Sequence, residues 1–131
     1  MKTIKNPTES ELEVLQILWE NGPSTVRFVN EQMNKKDLNK AKEVGYTTTL
    51  KIMQIMNEKG LVSRKPEGRQ HIYKALAKKE KVQKSLLDKF VENTFKGSAP
   101  QLVMQLLGNR KTSKEELDEI KALIDKIEKD K

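Results

Sequence analysis

The chain has 131 residues, which limits it to one domain or to a small domain with an appended region. It contains no cysteine and one histidine, which excludes disulfides and thiolate metal sites and disfavours zinc or histidine-based acid–base chemistry. The hydrophobic share of 35% is low for a self-sufficient core, so part of the burial is expected against a partner chain. We therefore expect an oligomeric protein that is not an enzyme and has no metal site and no cofactor.

The net charge of +7 is concentrated in the middle of the chain. Residues 1–32 carry three basic and five acidic side chains, whereas residues 33–74 carry ten basic and four acidic ones. Clustered cations favour double-stranded DNA as a partner, because phosphate contacts release counterions. No apolar run approaches the ~20 residues that span a bilayer, and the N-terminus lacks the apolar core of a signal peptide. The sequence therefore predicts a cytoplasmic protein without membrane insertion.

The first predicted helix has clear signals at both ends. Thr8 and Glu11 form a capping-box pattern just after Pro7, and Asn21-Gly22-Pro23 should end the helix. Its buried side is predicted to comprise Leu12, Leu15, Ile17, Leu18 and Trp19.

The second predicted helix begins after Ser24, which is expected to cap it, and it turns Arg27 outward. Its inward side is predicted to comprise Val26, Val29 and Met33. Residues 34–45 then form a polar connection that is longer than a minimal helix-turn-helix turn. The four lysines of this connection are either solvated or in contact with phosphate.

The third predicted helix has two chemically different sides. Thr49, Ile52, Met53 and Met56 recur at i, i+3, i+4 and i+7 and form one inward stripe. The residues that face away from this stripe are polar: Thr47, Thr48, Lys51 and Gln54. Short hydrogen-bonding side chains and a cation suit a helix that contacts base edges in the major groove.

A basic hairpin is predicted directly after this helix. Gly60 occupies the position of a helix C′ glycine, and residues 61–64 and 70–73 read as strands around the turn Pro66-Glu67-Gly68-Arg69. Lys65 and Arg69 flank the tip and are predicted to contact phosphate oxygens or a minor groove, and Arg64 is also predicted to contact DNA. His71 is interpreted as a packing or surface residue. The order of helix, glycine stop and basic hairpin predicts a winged helix-turn-helix, so the fold class is mainly α with a small β-hairpin wing.

The last third of the chain predicts three further helices and a dimer. The first runs from Lys78 to near Asn93, the second is the apolar run 99–107 closed by Gly108-Asn109, and the third opens with a capping box of Ser113 and Glu116. An apolar 3-4-3 spacing in the third resembles a short coiled-coil face. The predicted dimerisation residues are Leu86, Phe90, Leu102, Val103, Leu106, Leu117, Ile120, Ile124 and Ile127. Residues 1–77 are thus predicted to bind DNA and residues 78–131 to dimerise.

The whole pattern resembles the BlaI/MecI/CopY family of bacterial repressors, of the penicillinase-repressor type. The resemblance extends from Glu9 to Lys126. The matching motifs are Glu11-Leu12-Glu13-Val14-Leu15 with Trp19, Tyr46-Thr47-Thr48, Asn57-Glu58-Lys59-Gly60-Leu61-Val62, and Glu67-Gly68-Arg69 with Tyr73. It implies a homodimer with an N-terminal winged-helix domain that represses genes from dyad-symmetric operators, in this branch genes of antibiotic resistance.

Two departures from the family pattern narrow what the resemblance implies. The copper-responsive branch carries C-terminal cysteine pairs that this chain lacks, so copper sensing at such a site is disfavoured. The β-lactam branch is cleaved at an Asn-Phe bond in the short apolar helix, where this chain has Gln105-Leu106. Cleavage there by a membrane metalloprotease sensor and relief of repression by a ligand both stay open. A different class of function is a winged-helix protein–protein module whose basic face docks an acidic partner.

Overall fold

The computed structural model describes residues 6–36, 43–108 and 111–131. In this part of the chain, six helices and three strands follow one another in the order α1 Glu9–Asn21, β1 Ser24–Thr25, α2 Val26–Lys36, α3 Tyr46–Lys59, β2 Val62–Glu67, β3 Gln70–Ala75, α4 Lys79–Phe95, α5 Ala99–Gly108 and α6 Lys114–Lys129. The predicted fold class, mainly α with a small β wing, is confirmed. The described helices include none that is long and apolar enough to cross a membrane.

Helix α1 begins as the capping box predicts. Thr8 Oγ1 accepts a hydrogen bond from the Glu11 N–H at 3.2 Å, and the Thr8 N–H donates to Glu11 Oε1 at 2.9 Å. The two bonds satisfy backbone groups that the first turn of a helix leaves unpaired. At the other end, Gly22 adopts φ 79°, a conformation that favours glycine, and the helix stops.

The start of α2 differs from the prediction. Ser24 does not cap this helix; it lies in β1, and the Phe28 N–H donates instead to Thr25 Oγ1 at 3.1 Å. Thr25 is therefore the capping residue, because its hydroxyl is three residues before the donor. The helix also extends to Lys36, so Asn34 begins no connection. The rest of the proposed connection, residues 37–42, lies outside the described residues.

The sheet is antiparallel and has the strand order β1-β3-β2. β1 was not predicted, since two residues are too few to show an alternating pattern. The hairpin is tighter than expected: Glu67 pairs with Gln70, so the loop is Gly68-Arg69 and Pro66 belongs to β2. Gly68 adopts φ 62° in this loop.

One core joins the first three helices to the sheet. Its fully buried side chains include Leu15 from α1, Val29 from α2, Met53 from α3 and Tyr73 from β3. Trp19 Nε1 donates to the Ala77 carbonyl at 2.9 Å, which ties α1 to the segment that follows the sheet.

The chain divides into two compact units, Met1–Leu86 and Leu87–Lys131, so the division falls inside α4. The first unit extends beyond residue 77 because Val82 is buried in its core and Leu86 packs against that core. α4 ends at Phe95 and α5 at Gly108, each slightly later than predicted. α6 begins at its predicted cap, where Ser113 Oγ accepts from the Glu116 N–H at 3.0 Å. Asn109 lies outside the described residues.

Candidate nucleic-acid interface

The two sides of α3 separate as the sequence predicts. Thr49, Met53 and Met56 are buried and Ile52 is partly buried. The four polar side chains on the other side are all exposed: Thr47, Thr48, Lys51 and Gln54. The helix thus packs through one face and presents hydrogen-bonding groups of a kind that base edges accept through the other.

An ion pair anchors the last turn of α3. Lys59 Nζ lies 2.8 Å from Glu11 Oε2 and 3.1 Å from Glu11 Oε1, which connects α3 to the first turn of α1. Burial raises the pKa of the Glu11 carboxyl, but the hydrogen bonds from Lys59 and Thr8 and the charge of Lys59 outweigh it and lower that pKa below its ordinary value. Glu11 is therefore a charged group in the core that is stabilised by its partners. Sequence analysis identified only its capping role.

The register of the wing assigns its cations to different faces. Arg64 pairs with Tyr73 and Lys65 pairs with Ile72, and successive residues of a strand point to opposite faces. Arg64 therefore lies on the face of the buried Tyr73, and its Nη1 donates to the Tyr73 hydroxyl at 3.4 Å. Lys65 lies on the opposite face. A groove of about 630 Å³ is lined by both of these cations together with Lys74.

A second cleft, of about 400 Å³, lies where α2, α3 and the wing meet. Its lining comprises Thr25, Val26, Arg27, Tyr46, Leu50, Gln54, Arg69, Gln70 and His71. Two of the predicted DNA-contact residues, Gln54 and Arg69, thus line the same cavity. Lys65 does not line it, so the two cations that flank the wing tip in the sequence are not equivalent in the structure.

The cleft also includes three residues that sequence analysis did not assign to DNA binding: Arg27, Tyr46 and His71. Arg27 is exposed in the first turn of α2, where the helix dipole favours an anion. His71 pairs with Pro66 and lies two residues before Tyr73, so it shares the face of that buried residue. The sequence shows the spacing of these two residues, but only the hairpin register shows that their side chains share a face.

The predicted dimerisation residues occupy several environments. Leu86 packs against the core of the first unit, and Phe90 contacts Phe95 edge to face with ring centroids 5.8 Å apart. The described residues of α5 and α6 include none that is buried. The exposed large apolar side chains of the second unit are Leu87, Phe90, Val103, Met104, Leu106, Leu123, Ile124 and Ile127.

The other predicted dimerisation residues and the predicted cleavage pair differ in their exposure. Leu102, Leu117 and Ile120 are partly buried. Gln105 and Leu106, the predicted cleavage pair, are exposed and lie inside α5. Within the residues that the structure describes, no three acidic or histidine side chains form a group that could hold a metal ion.

Comparison with known proteins gives a family and a fold. Residues 7–126 match the family model described as "Penicillinase repressor". The chain is similar to a MarR family protein from Bacillus stearothermophilus, with 20% identity and a TM-score of 0.52 over 96% of this chain and 76% of that one. At that identity the likeness shows the fold alone. A search of the curated proteins gives no match.

Two further solved structures are similar to about three fifths of the chain. One is the solution structure of the DNA-binding domain of the repressor BlaI, at 22% identity and a TM-score of 0.49 over 60% of this chain and 90% of that one. The other is Bacillus licheniformis BlaI in its monomeric form in complex with the blaP half-operator, at 21% identity and a TM-score of 0.48 over 61% of this chain and 92% of that one.

Proposed function

This chain belongs to the penicillinase repressor family and is a DNA-binding repressor; on that premise we propose that it acts as a homodimer on dyad-symmetric promoter DNA. The observation that carries this proposal is the two-sided packing of α3. Its apolar side is buried in the core, and its exposed side presents Thr47, Thr48, Lys51 and Gln54 beside a cleft that contains Arg69. A helix packed in this way can enter a major groove without losing its own support.

The exposed residues divide into two roles. Gln54 and Lys51 carry groups that can bond the major-groove edges of adenine and guanine, and Thr47 and Thr48 add hydroxyls and methyl groups that suit other base edges. Arg69 and Arg64 hold the wing on the phosphate backbone, and Lys65 does so from the other face of the hairpin. Arg27 extends the cationic lining of the cleft toward the same backbone, and the His71 ring adds a hydrogen-bonding group there.

The second copy is proposed to bind through the second unit. Ile124 is 49% exposed and Ile127 57% exposed, and both lie on the 3-4-3 apolar face of α6. Burying such a side chain contributes about 1.5–3 kcal/mol, and a two-fold axis counts each contact twice. A dimer of this kind places two recognition helices on two half-sites, which is what a dyad-symmetric operator requires.

Release from DNA is proposed to follow cleavage of the Gln105–Leu106 bond by a membrane metalloprotease. The bond lies inside α5, so α5 must open locally before a protease can bind it. None of the described residues of α5 is buried within the single chain, so the packing that opposes this opening comes from the proposed dimer contact. Cleavage separates residues 1–105 from α6, and the two DNA-binding units then lose the high effective concentration that dimerisation provides.

DNA binding is tested with duplexes that the protein itself selects from a randomised library. We expect a palindromic duplex to be enriched and to bind more tightly than a mixed-sequence duplex, with an affinity that falls steeply with salt. Equal, weak binding to both duplexes would overturn the proposal. In that case, salt-dependent capture of an acidic polypeptide would support the protein–protein module instead.

A further inference from the structure

The backbone just before the recognition helix α3 is held by side chains of α2. The Val44 N–H donates to Asn34 Oδ1 at 2.8 Å, and Asn34 Nδ2 donates to the Val44 carbonyl at 3.1 Å. One asparagine amide thus satisfies both polar groups of a single residue outside any helix or strand. The two bonds close a ring, which constrains the position and the direction of the chain at Val44.

A second asparagine, one turn earlier on α2, extends this network into α3. Asn30 Nδ2 donates to the Val44 carbonyl at 2.8 Å and to Thr49 Oγ1 at 2.9 Å. Thr49 is fully buried, so its hydroxyl needs a partner inside the protein. The four bonds therefore connect α2 to both sides of the start of α3. We call Asn30 and Asn34 the asparagine clamp.

The local sequence does not supply this constraint. The residue that precedes α3 in the N-cap position is Gly45, which has no side chain to bond the first turn. Neither its φ of −71° nor its surroundings require glycine, since a Cβ there would meet nothing within 4 Å. The start of α3 therefore has no side-chain cap, and the clamp holds the residue just before it.

We propose that Asn30 and Asn34 are positioning residues for sequence recognition: they fix the start of α3 so that Thr47 and Thr48, three and four residues after Val44, meet base edges in register. The inference rests on the proposed function. Hydrogen bonds to bases weaken steeply when donor and acceptor separate by more than a few tenths of an ångström. The attraction between cations and phosphates changes slowly with distance. Loosening the clamp should therefore reduce specific binding and spare nonspecific binding.

The test is Asn34→Ala in the full chain, measured on the palindromic duplex selected by the unaltered protein and on a mixed-sequence duplex. We expect at least about a tenfold loss of affinity for the selected duplex, since base contacts carry discrimination of that order or more. Affinity for the mixed duplex should stay within about twofold of the unaltered value, because the wing cations are unchanged. For the same reason the salt slope should change by less than about 0.5. The matched control is Gln32→Ala, which truncates an amide on the same helix that is not part of the clamp. It should change neither affinity.

Equal losses on the two duplexes, or no loss on either, would overturn the positioning role. If the Asn34→Ala protein prefers the selected duplex as strongly as the unaltered protein does, only the positioning role is overturned and the proposed function stands. If the unaltered protein prefers no duplex in the selection, the proposed function is overturned instead. Hydrogen exchange of the unaltered protein tests the geometry without any variant: the Val44 N–H should be protected although it lies outside a helix, and rapid exchange there would overturn the clamp.

Discussion

Replacing Glu11 with glutamine removes one charge from the contact between α1 and α3 and keeps the shape of the side chain. The Glu11 side chain is 5% exposed and its carboxylate oxygens accept from Lys59 Nζ at 2.8 and 3.1 Å, whereas the Lys59 side chain is 31% exposed. In Glu11→Gln the amide oxygen can still accept from the Thr8 N–H, so the capping bond survives. The substitution therefore removes the charge of the ion pair together with the hydrogen bond from Lys59 Nζ to Oε2, because an amide nitrogen cannot accept it.

The magnitude follows from how far each partner is buried. Breaking a fully buried ion pair costs about 3–5 kcal/mol, mostly because the remaining charge is left without a partner. Lys59 can turn part of its ammonium group toward water once Glu11 is neutral, which reduces that cost. We expect Glu11→Gln to lower the free energy of unfolding by about 1–3 kcal/mol. Glu11→Ala should lower it by about a further 1 kcal/mol, since it also removes half of the capping box.

The expected loss of unfolding free energy depends on pH. The pKa of Glu11 is lower in the folded protein than its ordinary value of 4.5. The stability that it contributes is therefore present above pH 4.5 and is lost as the pH falls through the folded pKa, where the carboxyl is protonated. The difference in unfolding free energy between Glu11→Gln and the unaltered protein should shrink over that range.

Urea unfolding followed by circular dichroism, at one protein concentration and at several pH values, measures these differences. Glu9→Gln is the matched control, because it removes the same charge from the exposed first turn of the same helix. A Glu11→Gln protein that unfolds like Glu9→Gln at pH 7 would refute the reasoning. So would a difference that persists unchanged at a pH well below 4.5.

Three further predictions concern the proposed repressor. Gln54→Ala should relax sequence preference in a library selection, whereas Arg69→Ala should weaken binding to all duplexes and lower the salt slope by about 0.9 for each lost phosphate contact; an unchanged slope in Arg69→Ala would contradict the role of the wing. Replacing Ile120 and Ile124 together with aspartate should give a monomer in sedimentation, because both apolar groups would become charged in the proposed interface; an unaltered protein that is already monomeric at micromolar concentration would exclude the dimer. Truncation after Gln105 should abolish dimerisation and weaken binding to the selected palindrome, and equally tight binding by the truncated chain would exclude cleavage there as the release step.

Features that depend on a few contiguous residues could be predicted from the sequence. The capping box of Thr8 and Glu11 is an example, because both of its hydrogen bonds span three residues. The end of α3 is another: Gly60 adopts φ 81°, a conformation that most other residues avoid. The buried stripe of α3 was also predictable, since its period is that of the helix itself.

Features that depend on contacts between distant segments could not be predicted. The partner of Glu11 is 48 residues away in the sequence, and no local pattern indicates that Lys59 reaches it. The faces of the wing required the loop length: only with a two-residue loop at Gly68-Arg69 does the pairing place Lys65 opposite Ile72. Each cleft is lined by residues of more than one helix or strand, so the sequence of one helix or strand does not indicate it.

The strand order gives the wing a further property, which concerns aggregation. β2 lies at the edge of the sheet, where unpaired backbone groups could pair with a strand of another molecule. Pro66 lies in this strand and has no N–H to donate, and the neighbouring Arg64 and Lys65 repel an identical edge. The wing thus presents to other copies of the chain a sheet edge that resists continuous strand pairing.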